Sequence, residues 1–208
     1  MNARSLAKSA LLAAARGTVA PLIAAYRVER ALWPAARRDQ LFQAYSQALS
    51  ALPGLSGQFV RRAFYGAVLA ECHPDSCIQW GTVFSSEEAR VGRGVYIGAR
   101  CMLGRVVLEE HVTLGSNIDI PSGRNQHGFD DPDVPVQDQP GRYETVRIGR
   151  NTWVGNSAVI LADVGARSVV AAGSVVTAPL PDDVIAGGNP ARVLRRRDPA
   201  TKQWAKPS

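Results

Sequence analysis

The sequence predicts a mainly β protein, with a solenoid of short strands over residues 71–190, a helical region before it at 1–70 and a basic tail after it at 191–208. Three observations carry that prediction. Aliphatic residues recur every six positions through most of the second region, glycine directly follows many of them, and apolar spacing of three and four residues is concentrated in the first 70 positions.

In the helical region Leu41, Tyr45, Ala48, Leu49 and Leu52 fall at three- and four-residue steps, and Phe59, Ala63, Phe64, Ala67 and Val68 repeat that spacing after Gly54. This is the signature of helices with one buried face. Gly17, Pro21, Pro34 and the Pro53-Gly54 pair predict the breaks, because proline lacks an N–H and glycine costs backbone entropy. The stretch SLAKSALLAAARGTVAPLIAAY is interrupted by Lys8, Arg16, Gly17 and Pro21, so it offers no run of about 20 apolar residues to cross a bilayer. It suits packing against the body or another subunit, or a peripheral membrane contact through residues 1–32 with Leu6, Leu11 and Leu12 on one side.

The metre then begins. Val91, Ile97, Leu103, Leu108, Leu114 and Ile120 are followed, after a gap, by Ile148, Val154, Ile160, Val164, Val170 and Val176. Glycine follows at 92, 98, 104, 115, 149, 155 and 165, and a compact or branched residue lies two positions before most of the aliphatics, as at Ala89, Val95, Cys101, Val112, Thr152, Ala158, Ser168 and Ser174. A period of six fits neither a helix nor a hairpin meander. It fits a solenoid in which each hexad gives one short strand and a corner, three hexads close a triangular coil, and the aliphatic side chain points inward. Glycine is expected at corners for the backbone angles it alone reaches easily. Leu103 to Leu108 and Ile160 to Val164 are clipped hexads, while Ile120 to Ile148 is greatly expanded, so residues 121–147 leave the coil and return.

The net charge of +6 is uneven. Residues 1–70 hold nine Lys/Arg against two acids, 71–191 nine against fifteen, and 192–208 six against one. The acidic middle argues against a nucleic-acid groove through the body, and the basic ends favour phosphate or membrane-surface contacts. Three sparse cysteines, Cys72, Cys77 and Cys101, fit a reducing cytoplasm. Cys72, His73 and Cys77 lack a nearby fourth ligand for a closed zinc site, so no metal is expected.

The metre, together with WVGNSAVI, VVAAGSVVT and IAGGNPARVLRRR, resembles the hexapeptide-repeat acyltransferases over about residues 76–197. The resemblance implies a left-handed parallel β-helix, a known exception to right-handed crossovers. It also implies a homotrimer with active sites between subunits, acetyl-CoA as acyl donor, and O-acetyltransferase activity in the cytoplasm or on the inner face of its membrane. The long helical N-terminus and AFYGAVLA leading into the repeat look like members that modify exopolysaccharide, capsule or lipopolysaccharide, which makes a sugar hydroxyl the expected acceptor. Acetylation of an antibiotic, serine or amino sugar stays open. A non-catalytic β-helix scaffold is the alternative of another class, and the presence of a histidine-bearing excursion speaks against it.

A sugar hydroxyl is a poor nucleophile until a base takes its proton, and histidine, with an ordinary pKa of about 6.5, is the natural base. His111 sits in the regular hexad LEEHVT and His73 precedes the metre, whereas His127 opens the excursion, where the family's catalytic histidine lies. Asp119, Asp130, Asp131, Asp133 and Glu144 are candidates to orient its ring. By the same resemblance Asn117 and Asp119 are expected at the acceptor, Trp153 along the donor channel, and the amide of Asn156 as a donor to the oxyanion. Ala172, Thr177, Arg192 and Arg195 match donor-binding positions. Ala178 stands where a lysine is often found, with Arg196 and Arg197 as candidates to replace its charge.

Overall fold

The computed structural model describes residues 3–206, with side chains described for Leu11 and from residue 13 onward. Three helices lead: α1 (Ala3–Leu32), α2 (Arg38–Ser50) and α3 (Gly54–Val68). The predicted breaks at Pro34 and Pro53-Gly54 are present, but Gly17 and Pro21 lie inside α1. The carbonyl that loses its partner at Pro21 is that of Gly17, four residues back. Val19 and Tyr26, buried against the rest of the helical region, supply the packing that keeps the helix continuous. Leu11 is exposed, and the side chains of Leu6 and Leu12 lie outside the described residues. Among the described residues no helix is long and apolar enough to cross a membrane.

A parallel β-solenoid follows. The first coil is β1 (Glu71–Cys72), β2 (Cys77–Ile78) and β3 (Val83–Phe84); the second is β4 (Arg90–Val91), β5 (Tyr96–Ile97) and β6 (Met102–Leu103). The third is β7 (Val106–Leu108), β8 (Thr113–Leu114) and β9 (Asp119–Ile120), and the fourth β10 (Val146–Ile148), β11 (Trp153–Val154) and β12 (Val159–Ile160). A bridge at Val164 opens the fifth coil, with β13 (Val169–Val170) and β14 (Val175–Val176), and a bridge at Leu180 opens the sixth, with β15 (Val184–Gly188). The chain then reverses. The segment read from sequence as a basic tail starts with a strand, β16 (Ala191–Arg197), paired antiparallel with β15 and then with β17 (Trp204–Ala205). An open last coil exposes unpaired backbone, and a returning strand satisfies it.

Three sheets result. The first face stacks β1-β4-β7-β10, the second β2-β5-β8-β11-β13-β15-β16-β17, and the third β3-β6-β9-β12-β14. All twelve metered aliphatics point inward and are buried, and so are the compact residues two positions before them. Their hydroxyls are used: Thr82, Thr152 and Ser174 donate to the carbonyls of Gly98, Gly165 and Ala171 at 2.7, 2.7 and 2.6 Å. Cys101 belongs to this series, and burial pushes its thiol up.

The metered glycines have a different role from the one expected of them. None of Gly92, Gly98, Gly104, Gly115, Gly149, Gly155 or Gly165 has a positive φ; a Cβ on Gly98, for example, would overlap the carbonyl of Gly115 one coil away. They permit close approach of stacked backbones. The left-handed angles are instead held mainly by other residues in two columns. Gly94, His111, Asn151, Arg167 and Asp183 turn the corner between the first and second faces, and Gly81, Arg100, Asn117, Ser157 and Gly173 turn the next one. Each non-glycine residue there costs about 1–2 kcal/mol, but each corner lets aliphatics worth about 2 kcal/mol apiece enter the core. Replacing Gly98 by alanine should cost about 2–3 kcal/mol, read as a lower denaturation midpoint; an unchanged midpoint would mean that the coils can part.

The two clipped hexads and the excursion share one edge. Steps from first to second face and from second to third are six residues along the inward positions from Val91 to Val176, whereas the third-to-first corner holds Gly104-Arg105, the long segment 121–145, and Leu161 to Asp163. Irregularity is therefore confined to a single edge of the prism.

The helices close the open end of the first coil. Phe84, inward on β3, meets the Tyr65 ring edge-on at 4.9 Å, and Tyr26, Phe42, Tyr45 and Phe64 continue the aromatic cluster. Burial pushes the Tyr65 phenol up, and Ser46 bonds it at 2.7 Å while accepting the Phe84 N–H at 2.8 Å. Arg61, fully buried, donates to the carbonyls of Leu49, Leu52 and Ile78 at 3.2, 2.6 and 3.2 Å.

Candidate active site

The excursion leaves the third face after Ile120 and returns at Val146. Its two legs run side by side: Glu144 donates its N–H to Ser122, and Arg142 to Asn125, at 2.8 and 2.7 Å. A Cβ on Gly141 would overlap the backbone of Gln126, so glycine lets the legs touch there. Beyond that contact stands His127, exposed, in a cavity of about 440 Å³ shared with Asn125, Phe129, Asp130 and Arg142. Its imidazole makes no hydrogen bond among the described residues. None of the five proposed orienting carboxylates bonds to it: Asp131 accepts the Asp133 N–H at 3.0 Å, and Glu144 pairs with Arg142 at 2.9 Å.

Asn117, Asn156 and Ala172 meet at the corner between the second and third faces. Asn117 has φ 57° and its Oδ1 accepts from Arg100 Nε at 2.9 Å, so it is at least a corner residue. Asn156 Oδ1 accepts the Ser116 N–H at 2.9 Å, fixing the third coil to the fourth. The flanking amides of Gly155 and Ser157 donate to Val170 and Ser116, whereas the Asn156 amide has no partner among the described residues. A Cβ on Gly155 would crowd Ala172, which lies directly on the next coil.

Asp119 is outward on β9, beside Met102 and Val159, and partial burial pushes its carboxyl up. Trp153 is about half exposed on the second face, in line with Tyr96, Thr113 and Val169. Thr177 lies on the irregular edge, where its carbonyl accepts from Arg124 at 3.4 Å. Arg192 and Arg195 are exposed on β16. Arg197 lies 3.3 Å from Asp183 and is stacked 4.0 Å over Trp204.

A single chain thus brings Asn117, Asn156 and Ala172 together at one corner, while Thr177 and the root of the excursion that carries His127 lie at the other edge of the third face. Sequence reasoning misses Arg124 and Arg142, although a signal exists. They are the only cations in 121–145, near its two ends.

The sequence profile described as the hexapeptide repeat of succinyl-transferase matches residues 145–178. A putative lipopolysaccharide biosynthesis O-acetyl transferase of Escherichia coli, WbbJ, is 25% identical over 130 residues, 61% of this chain and 66% of that one. The galactoside O-acetyltransferase of Lactococcus lactis is 30% identical over 119 residues, 54% of this chain and 55% of that one. The chain therefore spans less than two thirds of these curated relatives. A hexapeptide-repeat acetyltransferase from Vibrio cholerae has the same fold, with TM-score 0.65 at 23% identity over 76% of this chain and 92% of the other. In its complex with acetyl-CoA the TM-score is 0.55 at 24% identity, over 78% and 90%.

Proposed function

We propose that this chain, similar to hexapeptide-repeat acetyltransferases, transfers an acetyl group from acetyl-CoA to a hydroxyl of a sugar or polysaccharide precursor, with His127 as general base. The observation that carries the reading is the excursion: the one long departure from the coils projects an exposed, unbonded imidazole into a cavity, in a chain similar to sugar O-acetyltransferases.

His127 takes the acceptor hydroxyl's proton as the oxygen attacks the acetyl carbonyl carbon. A carbon–oxygen bond forms, the carbonyl π electrons move to oxygen, and the unpartnered amide of Asn156 donates to that oxyanion. On collapse the carbon–sulfur bond breaks, and His127 returns its proton to the leaving thiolate. Asn117 and Asp119 bind the acceptor, Trp153 lines the donor channel, and Ala172, Thr177, Arg192 and Arg195 hold the donor. The excursion that carries His127 is rooted at one edge of the third face and Asn156 turns the other, which supports a site completed between subunits of a homotrimer, with the excursion of one copy reaching the corner of the next. Lipid-linked glycans are among the acceptors this reading admits, with residues 1–32 as the membrane contact.

Release of free thiol from acetyl-CoA, followed across sugars, nucleotide sugars and lipid-linked glycans, tests the reading. Turnover with at least one of them is expected, and acetyl-CoA should raise the melting temperature as a native-state ligand does. A protein that neither binds acetyl-CoA nor releases thiol is a scaffold.

A further inference from the structure

At the root of the excursion lies a second cleft, of about 510 Å³, between the two legs and the last turns of the third-to-first edge. Its floor is apolar, with Val146, Leu161 and Pro179. Its polar rim is mixed: the guanidinium of Arg124 faces a cleft that Glu144 and Asp163 also line. Glu144 is paired with Arg142, and Asp163 accepts the Arg147 N–H at 2.8 Å. One cation against two carboxylates gives no excess of positive charge for a phosphate. Donors and acceptors around an apolar floor suit a neutral chain of amides and hydroxyls with aliphatic carbons between them.

Arg124 is also a strap. It is exposed, forms no ion pair among the described residues, and its single hydrogen bond runs from the first leg of the excursion to the Thr177 carbonyl in the fifth coil. At 3.4 Å that bond is long, so the guanidinium keeps most of its donors free for a ligand. His127 lies three residues further along the same leg.

We propose that Arg124 is a donor-positioning residue, which closes the root cleft over the neutral pantetheine arm of the acyl donor and ties the excursion to the fifth coil when the donor is bound. The inference rests on the acyl-transfer reading above, which assigns Thr177 to the donor. The arm's amide carbonyls accept from Arg124, and its carbon branches lie on the apolar floor. Occupancy then fixes the leg that carries the base.

Calorimetric titration of the full chain with CoA and with pantetheine, which lacks the nucleotide and its phosphates, tests this. Arg124→Gln should weaken both by about tenfold, the size expected when a charge-assisted hydrogen bond is lost. Arg124→Lys should recover part of the loss, and Arg147→Gln, on the outer surface of the first face, should bind both as the wild type does. Loss confined to CoA makes Arg124 a phosphate contact and overturns the proposal, as does unchanged binding of both ligands or loss only of acceptor affinity in the thiol-release assay. Wild type that binds neither ligand overturns it too. Wild type that binds both but releases no thiol with any acceptor removes the transfer reaction and leaves the cleft assignment standing. The melting temperature should barely move, because Arg124 is exposed and lightly bonded.

Discussion

Replacing His127 by alanine should lower the turnover number about a thousandfold while leaving the KM for acetyl-CoA within about twofold. General-base catalysis contributes about 10²–10⁴ in rate, and no other histidine lines the cavity. The two other histidines are used differently: the Nδ1 of His73 accepts the Asp75 N–H at 3.1 Å, and His111 turns a coil corner with φ 60°. The variant should fold normally, because the exposed imidazole bonds to nothing that truncation would strand. Stopped-assay thiol release at saturating donor, together with the melting temperature, checks both halves. Turnover within tenfold of wild type would remove His127 as the base.

Replacing Arg61 by alanine should destabilise the protein by about 3 kcal/mol or more, a fall of roughly 6–12 °C in melting temperature for a chain of this size. Two effects compete. Burial pulls the guanidinium below its ordinary pKa, so the buried charge is itself unfavourable and its removal recovers something. Against that, the carbonyls of Leu49 in α2, Leu52 just beyond it and Ile78 in the first coil lose the guanidinium together, with Leu49 keeping a long bond from the Leu52 N–H, and each stranded carbonyl costs about 1–3 kcal/mol. A cavity opens as well. The stranded carbonyls win because Arg61 is fully buried and its bonds to Leu49 and Ile78 lie inside, where the helix end meets the coil end. Arg61→Lys should recover little, since an ammonium lacks the planar fork that serves several acceptors at once. A melting temperature within a degree or two of wild type in the alanine variant would show that the aromatic plug alone holds the helices on the solenoid.

Much of this molecule is determined locally and is therefore legible in sequence. A solenoid is quasi-one-dimensional, each hexad meeting only the hexads above and below it, so a short period fixes the inward side chains without knowledge of distant contacts. Val91 to Val176 are inward at every metered position for that reason, and the gap after Ile120 announces the excursion. Glycine chemistry is legible only in part. Its positions can be seen, but whether each serves a left-handed angle or a close contact depends on what stacks above it, whereas His111 and Asn117 sit at the corners expected of them and hold left-handed angles there.

Tertiary structure alone decided the rest. Pro21 remains helical because α1 is held by packing against α3 and by Arg30 on Glu87 at 2.8 Å, long-range contacts that outweigh a local propensity. The basic end became a strand because the last coil presented an edge to be paired. The reach of Arg124 to Thr177 arises from coils that bring residues 53 positions apart into contact. Sequence spacing records the period of a coil, but the meeting of two edges requires the coils to be closed and stacked, and that is set by the burial of the whole core.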